Sequence, residues 1–234
     1  MLTKVQIFER SLRMADYLRP ERDRVALLTI NAQRDFTAKG SPLRACGVER
    51  AVPKMGRLAT AFRAFGAPIF HAVRLYRPDG SNVDSFRRQA VEEGLRVLMP
   101  GTSGVELIEQ VKPAADIRLV PRLLFDGEFQ AFEPREWSFY KPRWGAFHDT
   151  GLEGRLRQAG ATTLVICGCN FSTSGRATVY EAGARDFRVI LVPDALTGAD
   201  ESAIREMGRI GIYLMNTDDC IGWLNGPKRG SAAA

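Results

Sequence analysis

Three hydroxyls, Ser172, Thr173 and Ser174, crowd a short stretch of the segment GCNFSTSGRAT (168–178). The residues around them, from Thr162 to Ala195, read as a buried strand, a polar turn, a helix and a second buried strand ending in Asp194. The turn therefore sits at a helix start, where unpaired backbone N–H groups and the helix dipole favour developing negative charge. A hydroxyl nucleophile placed there would have an oxyanion site beside it. The chemistry this suggests is attack on a carbonyl carbon, as in acyl transfer. Ser174 alone is more often a helix cap than a nucleophile, so its role depends on what the rest of the chain brings near it.

Such a turn needs a sheet to hold it. VALLTIN (25–31) and PIFHAVRL (68–75) are apolar runs too short for helices and read as buried strands, as do 162–169, 188–193 and a short segment near 212–216. Between them, residues 51–65 show helical spacing through Met55, Leu58, Phe62 and Phe65, stopped by Gly66 and Pro68. Helices are also predicted near 83–93, 149–159 and 200–211. The stretch 95–135 is less regular; it predicts a helix at 104–111 and a strand pair around 117–125. FYKPRWGAF (139–147) enters as a strand and leaves as a loop. Strands alternating with helices imply an α/β fold, a mostly parallel sheet with helices on both faces. In such sheets ligands bind at the carboxyl ends of the strands, and Asn31, Arg74, Lys141 and Asn170 all fall near such ends. Residues 4–18, with Val5, Phe8 and Leu12 at helical spacing, predict a helical arm within 1–24. The main domain spans 25–225, and 226–234 is a disordered tail.

Composition narrows the class. A chain of 234 residues can bury one good core, so a single domain is expected. No apolar run approaches the ~20 residues a bilayer span requires, and the N-terminus lacks the apolar core of a secretory signal. The net charge of +6 comes largely from scattered Arg rather than a basic block interleaved with aromatics. Neither nucleic acid nor membrane is therefore an expected partner, whereas an anionic small molecule suits the charge. Cys46, Cys167, Cys169 and Cys220 read as reduced residues of a cytoplasmic protein. Cys167 and Cys169 share one strand face, which disfavours a disulfide between them. With only His71 and His148 the chain cannot build a His-rich metal site, and neither metal nor organic cofactor is expected. His71 reads as a core histidine, His148 as exposed and Asp194 as structural.

Three motifs now stand in order: TINAQRDF (29–36), YKPRWGAFHDTGL (140–152) and the GCNFSTSGRAT turn. In order and spacing they resemble the isochorismatase-like, or cysteine hydrolase, superfamily, over about residues 25–224. The resemblance implies a three-layer α/β/α sandwich of Rossmann-like character, commonly homo-oligomeric, that hydrolyses small amides or related carbonyl compounds. Typical members use an Asp ending the first strand (I-D-x-Q-x-D-F), a Lys (K-x-x-x-x-x-F-x-x-T-x-L) and a Cys six residues past the elbow Gly. Here Gln33, Asp35 and Phe36 match the first motif, but Asn31 holds the Asp position. Lys141 matches the Lys, with Phe147, Thr150 and Leu152 behind it. Gly168 matches the elbow Gly, Thr178 and Ala182 match the helix, and Ser174 holds the Cys position. The resemblance also implies an oxyanion hole from the Asn170 and Ser174 N–H groups, with a cis peptide at Cys169–Asn170. The branch that hydrolyses a vinyl ether uses the Asp as acid, so Asn31 argues against that reaction.

Two of three catalytic groups are thus replaced by near-isosteres. Asn31 cannot serve as the base, and a serine is far less acidic than a thiol, which titrates near ~8.5. A coherent alternative is a Ser–Lys pair. Without a neighbouring carboxylate, burial should lower the Lys141 pKa, and a neutral amine could deprotonate Ser174. A working serine, an inert remnant that binds a small molecule or partner, an introduced substitution and a non-hydrolytic biosynthetic use of the pocket all remain open at this level. Gln33, Phe36, Arg74, Tyr76, Trp144 and Phe147 are the candidate substrate-pocket residues.

Overall fold

The computed structural model describes residues 16–226. Most of the expected helical arm, and the tail beyond Gly226, lie outside the described residues; Asp16–Leu18 and Arg22–Arg24 are single 3-10 turns. The sheet has seven strands: β1 (Val25–Ile30), β2 (Ile69–Val73), β3 (Gln130–Glu133), β4 (Glu136–Tyr140), β5 (Thr163–Gly168), β6 (Arg188–Leu196) and β7 (Tyr213–Leu214). Their order is β3-β4-β2-β1-β5-β6-β7, and every pairing is parallel except β3 with β4. The principal helices are α1 (Val48–Phe65), α2 (Ser85–Glu92), α3 (Leu152–Gln158), α4 (Arg176–Gly183), α5 (Glu201–Arg209) and α6 (Thr217–Asn225). This is the three-layer sandwich expected from the sequence.

Both sheet faces are covered, which is why β1, β2 and β5 are buried at every position. Val25 and Leu27 face one layer, where Met55, Leu58 and Phe62 of α1 pack with Cys220 and Leu224 of α6. Ala26, Leu28 and Ile30 face the other, against Leu156 of α3, Val179 of α4 and Met207 of α5. The period-two alternation of β1 thus supplies both cores at once.

Register at the centre of the sheet sets up the site. Ile30 pairs with Gly168, and the Cys169 N–H donates to Ile30 O at 2.7 Å. A Cβ at Gly168 would lie 2.1 Å from that same oxygen, and its φ is +130°. Only glycine lets β1 and β5 close to this distance.

Two sequence expectations in 95–135 fail. In place of a helix at 104–111 there is a 3-10 turn, Ser103–Val105, followed by extended chain. That chain pairs with the loop after β1: Gln33 bridges Leu107, Arg34 N donates to Glu106 O, and Ile108 N donates to Ala32 O. Tertiary hydrogen bonds outweigh the local helical spacing. In place of a strand pair at 117–125, Pro121 opens a one-turn helix, Pro121–Phe125. The antiparallel hairpin forms instead between β3 and β4. Helix α6, not expected, is capped by Asn216, whose side chain accepts from Asp219 N. Asp194 braces the same turn, accepting from Thr217 N and Oγ1 and from Lys54 Nζ.

Candidate active site

Asn31, Lys141 and Ser174 meet at the carboxyl ends of β1, β4 and β5. The chain leaves β1 through Asn31 at φ +48°, a left-handed conformation that Asn tolerates better than most residues. Its N–H still pairs with Ala72 O at 2.9 Å, so the side chain is fixed at the sheet edge. Lys141 continues the ladder beyond β4, its N–H bonding to Val73 O at 3.0 Å. The elbow itself is a π-helical turn, Phe171–Gly175, leading into α4. It is tied to the end of β6 by Phe171 N to Thr197 O and Thr197 N to Gly168 O.

Lys141 Nζ lies 3.2 Å from Ser174 Oγ, and Asn31 Nδ2 donates to the same Oγ at 3.2 Å. Asn31 Nδ2 also reaches Cys169 O, and Lys141 Nζ donates to Arg143 O. All three side chains are buried, Lys141 being 1% exposed. Burial, reinforced by the Arg74 and Arg87 guanidiniums and only partly opposed by Asp84 and Glu181, lowers the Lys141 pKa to about 7. Both the neutral amine and the ammonium are then accessible near neutrality. Asn31 Oδ1 is buried with no hydrogen-bond partner among the described residues.

The loop after Lys141 is locked onto α4, which fixes the pair. Thr178 Oγ1 accepts from Ala146 N at 3.1 Å and donates to Ser174 O at 2.7 Å. Glu181 Oε2 accepts from Phe147 N, and Thr150 Oγ1 donates to Ala146 O. The residues that match the second and third motifs are therefore joined to one another by hydrogen bonds.

A narrow cleft, with a volume of only about 10 Å³, opens onto Ser174. Its walls include Phe36, Arg74, Trp144, Asn170 and Thr173, together with Asp84 and Arg87. Gln33, Tyr76 and Phe147 lie elsewhere. Gln33 clamps the Arg74 backbone through both amide atoms and also donates to Val105 O. Tyr76 is fully buried with its hydroxyl donating to Asp84. Phe147 packs against Phe187 in the α3–α5 core. Sequence reasoning misses Asp84 and Arg87, because the turn-rich RPDGSN gives no indication that the start of α2 folds back over the cleft. Arg74 causes that fold: it reaches Asn82 O and Asp84 Oδ2 from the end of β2.

Asn170 has φ +26°, ψ 103°, and its N–H has no backbone partner among the described residues. The peptide before it is trans, as no cis peptide occurs among the described residues, which corrects the expected cis bond at Cys169–Asn170. The adjacent thiols offer no substitute nucleophile. Cys169 is buried, outside the cleft lining, and burial raises its pKa to about 12 despite a hydrogen bond with Thr197. His71 is a satisfied core residue, bonded to Thr29 Oγ1 and Glu136, and His148 is exposed. Among the described residues no His, Cys, Asp and Glu cluster could hold a metal, and no helix is long and apolar enough to cross a membrane.

Residues 25–219 match the sequence profile of the family described as Isochorismatase domain. The chain belongs to the isochorismatase family. Among its relatives, a protein of Arabidopsis thaliana named probable inactive nicotinamidase is 28% identical over 193 residues, 80% of this chain and 89% of that one. An amidohydrolase of Methylorubrum extorquens named for ureidoacrylate is 23% identical over 221 residues, 87% of this chain and 79% of its own. A crystal structure of an isochorismatase family protein from Desulfovibrio vulgaris superposes with a TM-score of 0.73 at 29% identity, covering 87% of this chain and 99% of the other. At the family level the chain is thus a hydrolase homologue, and this isochorismatase fold carries Asn31 and Ser174 at two positions of its cleft.

Proposed function

We propose that this protein hydrolyses a C–N bond in a small amide or related carbonyl compound, with Ser174 as nucleophile and Lys141 as its base. The observation that carries the reading is the 3.2 Å approach of Lys141 Nζ to Ser174 Oγ in a buried setting that lowers the amine pKa to about 7. Asn31 Nδ2 occupies one lone pair of Oγ, which leaves the hydroxyl hydrogen free to face a neutral Lys141. In the first step Nζ takes that proton as Oγ bonds to the substrate carbonyl carbon. The resulting oxyanion is met by the N–H groups of Asn170 and Ser174. The Lys141 ammonium then protonates the leaving amine as the C–N bond breaks, leaving an acyl ester on Ser174. A water deprotonated by Lys141 attacks the ester, and the proton returns to Ser174 as the acid departs.

That a relative is named an amidohydrolase supports the reaction class. The test is acylation by p-nitrophenyl acetate, followed by intact mass and peptide mapping. The expected result is a single acetyl group on Ser174, absent from Lys141→Met. An acetyl group elsewhere, or none, would overturn the reading. A second reading, an inactive scaffold that retains the pocket for binding, is favoured by the replaced Asp and Cys positions and by the relative named probable inactive. Tight binding of a small ligand with no turnover and no acylation would support it.

A further inference from the structure

We propose that the cavity between residues 101–106 and 118–121 binds a small phosphate monoester, at a site separate from the Ser174 cleft. The cavity measures about 450 Å³, within the roughly 300–1,000 Å³ typical of small-molecule sites. Its lining holds three cationic side chains, Arg34, Lys112 and Arg118, against one carboxylate, Glu106. Glu109 stands outside that lining and pairs with both Arg34 and Lys112, so the balance of the group stays positive and attracts an anion. None of these residues lines the cleft at Ser174. The proposal therefore stands or falls independently of the reaction there.

The backbone places these groups. Residues 101–106 are held on the loop after β1, where Arg34 N donates to Glu106 O and Gln33 Nε2 donates to Val105 O. A Cβ at Gly104 would lie 2.1 Å from Asp35 Oδ1, so a side chain there would push that carboxylate off Leu98 N, from which it accepts. Glycine lets the Ser103–Val105 turn settle close to the loop and brings Ser103 to the cavity. From the other wall, Leu119 N donates to Glu106 Oε2 at 3.0 Å, which commits part of the one lining carboxylate to the backbone.

Donors without acceptors remain on all three cations. The Lys112 side chain is 2% exposed, and among the described residues its ammonium has one acceptor, Glu109 Oε1 at 3.3 Å, for three N–H bonds. A buried charge so incompletely hydrogen-bonded is costly, and an anion in the cavity would offset that cost. First contact falls to more accessible groups: the Arg34 side chain is 42% exposed, and Arg118 and Ser103 are exposed. Among the described residues the Arg34 guanidinium bonds through Nη2 alone, to Glu109, and that of Arg118 through Nη1 alone, to Ala115 O and Ile117 O. The rest of each fork is free for oxygen acceptors. A phosphate monoester, with three terminal oxygens and a charge near −2, suits three cations better than a carboxylate does. Leu119 and Pro121 offer an apolar wall for its carbon portion.

The experiment is calorimetric titration of the full chain at low ionic strength and pH ~8, where a phosphate monoester is a dianion. The probes are phenyl phosphate and benzenesulfonate, which has the same tetrahedral head but a single charge. Phenyl phosphate should bind at least about tenfold more tightly. Arg118→Gln should weaken it at least about fivefold, Arg118→Lys should retain part of the affinity, and Ser103→Glu should abolish binding by placing a carboxylate at the cavity. Both positions are exposed, and the Tm of each variant without ligand checks that it is folded. Arg87→Gln, in the Ser174 cleft, should leave the affinity within about twofold. Bound phenyl phosphate should also raise amide protection across residues 101–106. Equal affinity for the two probes, no saturable binding of phenyl phosphate, or unchanged protection in 101–106 would overturn the proposal. Binding lost in Arg87→Gln but kept in Arg118→Gln would assign the phosphate to the cleft and overturn it equally.

Discussion

Two buried clusters of this molecule face the same physics with opposite results. Cys167, Cys169 and Cys220 lie in the layer between the sheet and helices α1 and α6, and Lys141 lies with Ser174 at the strand ends. Burial disfavours the charged form of both kinds of group. It raises the pKa of Cys169 and of Cys220 to about 12, so each remains a neutral, unreactive thiol. It lowers that of Lys141 to about 7, and the neutral form of a lysine is a base. Desolvation alone would therefore disable a cysteine here and enable a lysine. On the proposed reading, an isochorismatase fold with Ser174 and Asn31 in its cleft would place its reactivity on the group that gains from burial.

The strongest way to break the contrast is to remove each group. Ser174→Ala should lower kcat at least about a thousandfold, the order seen when a nucleophile acting as part of a unit is lost. Cys169→Ala should stay within about threefold, because a neutral thiol in the core contributes packing and not chemistry. Steady-state hydrolysis of a small amide measures both. If Cys169→Ala abolished turnover, the division between the two clusters would be wrong.

Next in size is the effect of Asn31→Asp. Activity of the unsubstituted protein should rise with pH through about 7 as Lys141 loses its proton. A carboxylate at position 31 would stabilise the ammonium and move that rise upward. At pH 7 this should lower kcat/KM roughly fivefold for the first pH unit that the rise moves and roughly tenfold for each further one. Unchanged or faster turnover by Asn31→Asp at neutral pH would rule out Lys141 as the base.

Stability should carry the same signature. The folded-state pKa of Lys141 lies below its unfolded value of ~10.4, so the unfolded chain binds more protons between about 7 and about 10. Below about 7 the lysine is charged in both states and the desolvation cost is present in full. As pH rises through that window the cost is relieved, and stability should increase by up to about 1.4 kcal/mol per pH unit. Urea denaturation across pH 7–10, compared with Lys141→Met, isolates the contribution. If the two proteins showed the same slope, Lys141 would not be neutral in the folded state.

What is legible in the sequence divides along similar lines. The strands β1, β2, β5 and β6 are readable because continuous apolar runs identify strands covered on both faces. Asn31, Lys141 and Ser174 are readable as a group because each sits at a fixed offset from a strand end, and the structure brings them within hydrogen-bond reach. Residues 104–125 are not readable, since 106–108 bond to the loop after β1 and 118–120 bond to the side chains of Glu106 and Gln130, and no local pattern records those partners. Asp84 and Arg87 escape for a related reason: Arg74, ten residues before Asp84, pulls the start of α2 inward. Tyr76 and Gln33 are expected in the pocket from their positions in the sequence, but their polar atoms are used to hold Asp84 and Arg74.

The smallest expected effect concerns the link between the two motif-bearing loops. Thr178 is fully buried and joins Ala146 N to Ser174 O through one hydroxyl. Thr178→Val keeps the shape but leaves the Ala146 N–H without its acceptor, at a cost of about 1–3 kcal/mol in stability. Catalysis should suffer less, roughly fivefold in kcat, because the loop shifts Lys141 against Ser174. Thr178→Ser retains the hydroxyl and should recover most of the rate. Recovery of stability by the serine variant without recovery of kcat would mean that Thr178 only supports packing. Lys141 and Ser174 would then be held together by β4 and the elbow alone.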